Sequence, residues 1–248
     1  MENSSIQWTD STVNFWTGCK KASPGCKYCY MYRDKERYGQ EPTKVLRTNP
    51  STFNASLKWK DPKRIFTCSW SDFFIEEADQ WRDDAWDIIR KTPQHQWQIL
   101  TKRPERIAQC LPPDWGDGWD NVWLGVSVEN QDYINRIEIL SEIPAKLRFI
   151  SAEPLIGALD LSLVKEQLEN FHWCIIGGES GNDSGKYRYR PCELEWITMI
   201  IDDLKGTNVA VFVKQTGTWL SKHLKLSDRH GGDLDEWPSS IQVRSFPN

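Results

Sequence analysis

The sequence KLRFISAEPLIGALDLSLVKEQLENFHWCIIGG, residues 146–178, contains an apolar run, an amphipathic stretch and a second apolar run. The runs KLRFIS (146–151) and HWCIIGG (172–178) are almost continuously apolar, which is typical of strands covered on both faces in a parallel sheet. Residues 161–168 between them have the spacing of a short helix. This order predicts a strand–helix–strand unit with parallel strands, the repeating unit of α/β folds.

The same alternation extends in both directions along the chain. Further strands are predicted at RIFTC (64–68), WQILT (97–101), NVWLGVSV (121–128) and NVAVFVK (208–214), with an earlier strand within residues 12–17. Helices are expected at 78–90, 104–110, 131–141 and 192–204. Six or seven such units predict an α/β fold with a full or partial (β/α) barrel, and a doubly wound open sheet is the alternative.

Length and charge favour one ordered domain. The chain has 248 residues, 14 Trp and a net charge of −4, which argues against nucleic-acid binding by bulk positive charge but allows a local basic face. No apolar run reaches the ~18 residues of a membrane span, and the first residues lack the pattern of a secretory signal, so we expect a cytoplasmic location. The turn-rich tail, residues 226–248, is predicted to be peripheral to the domain.

The segment GCKKASPGCKYCYMYRDKERYG, residues 18–39, carries three of the seven cysteines. Cys19, Cys26 and Cys29 have the spacing C-x6-C-x2-C, and the Gly and Pro residues among them allow a tight loop. Three thiolates suit an iron–sulfur cluster with one iron open to a small molecule. A structural zinc ion needs four ligands, so that alternative requires a remote residue such as Cys68. A chance grouping of small apolar residues is the third interpretation.

The end of this motif is similar to the radical-SAM signature. Cys26, Lys27, Tyr28 and Cys29 match its C-x-aromatic-C pattern, although the first spacing is six residues instead of three. The resemblance implies one radical-SAM-like domain over residues 1–248, with the cluster loop within residues 1–40. It further implies that the three cysteines hold a [4Fe–4S] cluster that binds S-adenosylmethionine (SAM), with Tyr28 near the adenine. A one-electron donor such as flavodoxin or ferredoxin would be a partner.

A second resemblance rests on seven blocks that span nearly the whole chain: TGCKKASPGCKYCY (17–30), SWSDFF (69–74), ILTKRPER (99–106), LGVSVEN (124–130), FISAEPLIG (149–157), IIGGESG (175–181) and FVKQTG (212–217). These blocks resemble the phage Gp37/Gp68 family, proteins of phages and bacteria whose name implies no activity. The phage association makes a modified nucleobase or nucleotide of DNA the expected substrate. A peptide or a small metabolite is the alternative.

Polar residues follow most predicted strands, at the ends where α/β folds bind ligands. The radical-SAM resemblance implies that residues after the second strand meet the SAM amino group, that residues after the fourth meet the ribose, and that the glycine-rich sixth strand admits the adenosine. The implied SAM-binding residues are Tyr28, Ser69, Ser71, Asp72, Ser127, Glu129, Gly177, Gly178 and Glu179.

A second set of strand-end residues is predicted to bind substrate. Cations there can pair with the SAM carboxylate or with a substrate phosphate, and Arg188 and Arg190 can extend the same basic rim. The candidates are Lys102, Arg103, Glu153 and Lys214. No residue is predicted as a catalytic acid or base, because the cofactor would carry the chemistry.

The predicted function is therefore reductive cleavage of SAM by a radical-SAM enzyme. Two other functions stay open at this point. A zinc-binding module that contacts nucleic acid or protein needs four tightly bound ligands. An iron–sulfur protein that moves electrons or senses redox state would carry a cluster that is indifferent to SAM.

Overall fold

The structure is a computed structural model and describes residues 2–247. Its strands are β1 Ser11–Thr12, β2 Trp16–Thr17, β3 Leu46–Arg47, β4 Arg64–Thr67, β5 Gln96–Thr101, β6 Val122–Ser127, β7 Leu147–Leu155, β8 Trp173–Gly178 and β9 Ala210–Gln215. Its helices are α1 Tyr30–Arg37, α2 Pro50–Phe53, α3 Asp79–Arg90, α4 Ile107–Cys110, α5 Asn135–Ser141, α6 Lys165–Leu168, α7 Leu194–Asp203 and α8 Gly217–His223. Within residues 2–247, no helix is both long and apolar enough to cross a membrane.

Seven strands form one sheet in the order β1-β4-β5-β6-β7-β8-β9, and β2 pairs with β3 in a separate antiparallel ladder. The pairs β1–β4, β4–β5, β7–β8 and β8–β9 are all parallel. Each strand from β4 onward lies beside its predecessor in the sequence. A doubly wound sheet reverses its strand order at a switch point, so this order excludes that alternative.

The six strands predicted from residue 64 onward are confirmed, with boundaries shifted by a few residues. The earlier strand is different from the prediction, because residues 12–17 are divided between two ladders. β1 ends at Thr12, and the Asn14 side chain then accepts a hydrogen bond from the Trp70 backbone N–H at 2.8 Å. The chain leaves the sheet at this point and pairs with β3 instead.

Contacts within the chain define two compact units. The first comprises Met1–Ala22, Tyr30–Gly125 and Ile143–Leu147. Its core is aromatic: Phe15 stacks on Trp97 with ring centroids 5.5 Å apart, and Phe73 meets Trp86 edge-on at 4.9 Å. Such pairs contribute packing energy beyond the apolar area that they bury.

The second unit comprises Ser23–Cys29, Val126–Glu142 and Arg148–Asn248. Every residue of β8 is buried, which confirms the prediction of a strand covered on both faces. Trp173 of β8 packs against Phe149 and Phe212, each at 5.9 Å between centroids.

The C-terminal tail lies along the outer edge of β9. The Val213 N–H donates to the Val243 carbonyl at 2.9 Å, and the Ser245 N–H donates to the Val211 carbonyl at 2.8 Å. An uncovered edge strand would present unpaired backbone groups to other chains. The tail therefore provides hydrogen-bond partners for backbone groups on the outer edge of β9.

Candidate functional site

In the first unit, several hydrogen bonds hold the backbone that leads into Cys19. Gly18 donates its N–H to the Trp70 carbonyl at 3.0 Å, and its carbonyl accepts the Ser71 hydroxyl at 2.5 Å. Gly18 has φ +93°, and a Cβ there would collide with the Lys44 carbonyl oxygen, so only glycine fits. The half-buried Cys19 accepts the Tyr32 hydroxyl at its own carbonyl.

Asp72, which follows β4, is buried and has its carboxylate surrounded by protein donors. Oδ1 accepts the Phe74 N–H at 2.9 Å and the Thr101 hydroxyl at 2.7 Å. Oδ2 accepts the Lys102 N–H at 2.9 Å and the Arg103 guanidinium at 3.0 Å. A carboxylate has about four acceptor positions. Four protein donors already occupy these positions in Asp72. Its predicted contact with the SAM amino group stays a prediction.

Arg103 connects Asp72 to the cysteine loop. Its second guanidinium nitrogen donates to the Lys20 carbonyl at 2.7 Å. Burial lowers the pKa of Arg103, but the charges of Asp72 and Cys19 raise it, and the net pKa is above the usual value. A guanidinium beside Cys19 favours the thiolate of that cysteine. Arg103, predicted to bind substrate, is thus engaged within the protein.

Two other predicted residues of the first unit also have partners in the protein. The Ser69 carbonyl accepts the Tyr30 hydroxyl at 2.5 Å, and its own hydroxyl accepts the Asn14 amide at 3.1 Å. Lys102 is half-buried beside Arg103. The structure therefore joins Asp72, Lys102 and Arg103 directly, and it places Ser69 and Ser71 near the Cys19 backbone through their contacts with Asn14, Tyr30 and Gly18.

In the second unit, Glu129 fixes the segment that carries Cys26. This glutamate is fully buried and accepts the Ser23 hydroxyl at 2.5 Å. Its other oxygen accepts the Arg136 guanidinium at 2.9 Å, and Arg136 also donates to the Ser127 carbonyl at 2.8 Å. A Cβ on Gly25 would lie 2.5 Å from a Glu129 carboxylate oxygen, so the fit requires glycine.

Arg190 fixes the same segment from the end of β8. It donates its backbone N–H and its Nε to Glu179, at 2.9 and 2.8 Å, in a buried ion pair. Its Nη1 donates to the Pro24 carbonyl at 2.9 Å, and its guanidinium lies 5.4 Å from the centre of the Tyr28 ring. Arg190 was expected on an open basic rim. The structure instead gives it buried partners, because Glu179 needs a counter-charge.

The last group lies at the ends of β7, β8 and β9. Glu153 forms an ion pair with Lys214, and both side chains remain partly exposed. A Cβ on Gly177 would lie 3.2 Å from a Glu153 oxygen, and one on Gly178 would collide with the Thr216 carbonyl. The two glycines therefore allow close packing of neighbouring strand ends, and their predicted contact with adenosine stays a prediction.

None of the seven cysteines forms a disulfide within residues 2–247, and they fall into two groups. Burial raises the pKa of the Cys68 thiol to about 11 and those of Cys174 and Cys192 to about 12, and it also raises the pKa of Cys110. Such thiols stay protonated at neutral pH and are poor metal ligands.

The remaining three cysteines are those of the loop. Cys26 is buried, and Cys19 and Cys29 are half-buried. Over residues 2–247, no three Cys, His, Asp or Glu side chains are already grouped to hold a metal ion. The donor set itself, three thiols of one short loop that form no disulfide, fits a cluster held by three thiolates. It does not fit a closed four-ligand zinc site.

Residues 3–238 match the model of a family described as Protein of unknown function (DUF5131). The chain belongs to this DUF5131 family. The match does not confirm the phage Gp37/Gp68 name, which stays a prediction. No curated protein matches the chain.

Solved structures of spore photoproduct lyase have a similar fold. The lyase complexed with dinucleoside spore photoproduct superimposes with a TM-score of 0.56 at 13% identity, over 86% of the DUF5131 chain and 79% of the lyase. A double mutant of that lyase with bound AdoMet and dinucleoside spore photoproduct gives a TM-score of 0.51 at 13% identity, over 84% and 64%. The likeness confirms the predicted fold class, an α/β fold of the partial (β/α) barrel type.

The sequence analysis missed Ser23 and Arg136 and gave Arg190 a different role, although all three shape the DUF5131 site. Ser23, Arg136 and Arg190 all bind the buried glutamates of the second unit or the cysteine segment. Ser23 and Glu129 are 106 positions apart, and Pro24 and Arg190 are 166 apart, so no local spacing relates them. The available signal was the position of Glu129 and Glu179 just after buried strands, because a buried carboxylate needs a cation or hydrogen-bond donors.

Proposed function

We propose that this chain is a radical-SAM enzyme whose Cys19, Cys26 and Cys29 hold a [4Fe–4S] cluster. The observation that carries the proposal is the loop of three cysteines after β2, none of them in a disulfide, in a fold like that of spore photoproduct lyase. One structure of that lyase contains AdoMet. The cysteine motif implies the same molecule here.

Bound in this loop, the cluster would supply the electron that breaks the C5′–S bond of SAM, which yields methionine and a 5′-deoxyadenosyl radical that takes hydrogen from the substrate. The residues of the chain would hold and orient the reactants. Arg103 favours the Cys19 thiolate. Glu129 and Arg190 keep the Cys26 segment in place through Ser23 and Pro24.

The predicted SAM contacts remain part of this proposal. They comprise Tyr28, the polar groups after β4 and β6, and the Gly177–Glu179 segment. Most of these side chains already bind protein partners. We therefore propose that backbone atoms at the strand ends contribute much of the contact with SAM, as backbone groups do in other nucleotide sites.

The proposed substrate is a nucleobase or nucleotide of DNA. Two observations support it: the similar lyase structure contains a dinucleoside, and Lys214 at the β9 end is a partly exposed cation that can meet a phosphate. The proposal includes a one-electron donor such as flavodoxin or ferredoxin, a cytoplasmic location and a single catalytic domain.

The first experiment measures 5′-deoxyadenosine, by chromatography, from anaerobically reconstituted protein with SAM and a strong reductant. The test variant is the Cys19→Ala/Cys26→Ala/Cys29→Ala triple mutant. The matched control is Cys110→Ala, since Cys110 is also half-buried but lies outside the loop. We expect product and about four bound irons per chain from the wild type and the control. We expect neither from the triple mutant.

Other outcomes would replace the proposal with one of its alternatives. Tightly bound zinc, no colour and no response to SAM would indicate a zinc-binding module. A well-formed cluster that gives no product, and whose EPR spectrum does not change with SAM, would indicate an iron–sulfur redox protein.

A further inference from the structure

A group of exposed cations lies beside the cysteine segment in the second unit. The loop after β8, residues 181–190, has the sequence GNDSGKYRYR, and it exposes Lys186 and Arg188. Lys222 and Arg229 are also exposed. Both form ion pairs with Asp183 of this loop, so they lie next to it. Within the loop, residues 181–190, Asp183 is the one exposed carboxylate, in a chain whose net charge is −4. Positive charge is therefore concentrated on this surface, which we call the basic loop surface.

The basic loop has a defined conformation. The Asn182 N–H donates to the Tyr187 carbonyl at 3.0 Å, and the Tyr189 hydroxyl donates to Asp183 at 2.8 Å. A Cβ on Gly181 would collide with the Arg188 carbonyl, so the loop folds closely on itself there. The loop therefore presents its cations from a fixed backbone, which lowers the ordering cost of binding a partner.

Arg190 joins this loop to the cysteine segment. It ends the loop, donates to the Pro24 carbonyl at 2.9 Å and lies over the Tyr28 ring. Lys27 lies over the same ring at 5.1 Å, and it is exposed. A ligand that binds the basic loop surface would therefore extend to within reach of the residues between Cys26 and Cys29.

The surface alternates cations with aromatic rings. Lys186 lies 5.4 Å from the centre of the Tyr187 ring, and Lys222 lies 5.3 Å from that of Tyr189. Among residues 2–247, the Arg188 guanidinium makes no ion pair. Cations that track a phosphate backbone, interleaved with rings on which bases stack, are the usual features of surfaces that bind single-stranded nucleic acid.

We infer that the basic loop surface binds single-stranded nucleic acid and directs it toward the cysteine segment. The inference rests on the proposed function and narrows its substrate class: the reacting nucleotide would belong to a polynucleotide strand, not to a free nucleotide. An acidic protein partner is the competing occupant, but it would not use the aromatic rings.

The test is fluorescence anisotropy of a labelled oligo(dT) of about 20 nucleotides with the full-length protein, without SAM or reductant. Each phosphate contact to a single strand contributes about −0.7 to the salt slope of log K, which is about fivefold in affinity at 0.1 M salt. Four contacts predict a slope near −3 for the wild type. Lys186→Gln/Arg188→Gln should weaken binding about 25-fold and reduce the slope by about 1.4.

The matched control is Lys165→Gln/Lys205→Gln, which removes two exposed cations of the same unit outside this surface. We expect its affinity to remain within about twofold of the wild type. Equal losses in both variants, with unchanged thermal melting, would overturn the inference. Competition by polyglutamate as strong as that by unlabelled oligo(dT) would also overturn it, because it would indicate a general polyanion site.

The two proposals fail separately. Protein that binds oligo(dT) as predicted but forms no 5′-deoxyadenosine would contradict the proposed enzyme and leave the nucleic-acid surface standing. Protein that forms 5′-deoxyadenosine but does not bind oligo(dT) would contradict the surface alone.

Discussion

The two units use their strand-end carboxylates in different ways. In the first unit, Asp72 accepts hydrogen bonds from Thr101, Lys102 and Arg103, which follow the neighbouring strand β5. In the second unit, Glu129 binds Ser23, and Glu179 reaches Pro24 through Arg190, more than 100 positions away in the sequence. The first arrangement joins two adjacent strands and reaches the Cys19 end of the loop through Arg103, which donates to the Lys20 carbonyl, whereas the second ties strand ends to the segment that carries Cys26.

This difference separates two roles that the sequence presents as one. All three carboxylates follow buried strands, and all three were predicted to bind SAM. The contacts of Asp72 mainly stabilise the end of the first unit's sheet. Those of Glu129 and Glu179 also determine where Cys26 and Cys29 lie, so their loss should appear in the behaviour of those cysteines. Three predictions test this distinction, and a fourth concerns the buried Cys68.

The largest effect is expected for Glu129→Ala. Glu129 is fully buried, and the side chain of its partner Arg136 is only 6% exposed, so the substitution leaves a buried guanidinium without its counter-charge. Breaking a buried ion pair in this way costs about 3–5 kcal/mol of unfolding free energy. Urea denaturation gives the value. Ser23→Ala removes only the hydrogen bond to the loop and should cost about 1 kcal/mol. Similar losses in both variants would show that the ion pair contributes little.

A smaller loss is expected for Asp72→Ala, about 2–3 kcal/mol, which is the range for hydrogen bonds to a charged group. The paired Arg103 side chain is 13% exposed and can reach water more readily than Arg136. Iodoacetamide labelling with mass spectrometry provides the second measurement. Labelling of Cys19 should accelerate, because Arg103, which lies beside Cys19, loses its partner Asp72. Labelling of Cys26 should not change. Faster labelling of Cys26 would contradict the local role of Asp72.

Arg190→Gln should have the opposite labelling pattern. It removes the donor to Pro24 and the counter-charge of Glu179, so the segment with Cys26 and Cys29 should open more often. A loss of 1–2 kcal/mol in local stability corresponds to labelling about 5–30-fold faster. Arg190→Lys is the matched control: it keeps the charge, but one ammonium cannot make the forked contacts of a guanidinium. Unchanged labelling of Cys26 in both variants would refute the anchoring role of Arg190.

The sequence predicted the parts of the fold that depend on local pattern. The continuously apolar run at 172–178 identified a strand buried on both faces, and β8 is buried at every residue. It did not predict that residues 12–17 divide between two ladders, because the Asn14 contact with Trp70 that ends β1 joins positions 56 apart. The site shows the same limit. Residue types and strand ends identified Glu129 and Glu179, but their connections to Ser23 and Pro24 depend on tertiary packing across more than 100 positions.

The smallest effect concerns the contribution of the buried Cys68 thiol to the pH dependence of the unfolding free energy. Burial raises the pKa of Cys68 from 9.0 to about 11, so the folded protein keeps this proton at a pH where the unfolded chain has lost it. The stability from the neutral thiol is complete below pH 9 and is lost as the pH rises toward 11. One thiol therefore contributes a slope of up to about 1.4 kcal/mol per pH unit in this window. Cys68→Ala should reduce the decrease in unfolding free energy between pH 9 and 10, measured by urea denaturation, by about 1 kcal/mol, because half of the unfolded chains still hold this proton at pH 9. Cys68→Ser also removes the thiol and should give the same reduction. An unchanged pH dependence in both variants would mean that burial of the Cys68 thiol does not contribute to it.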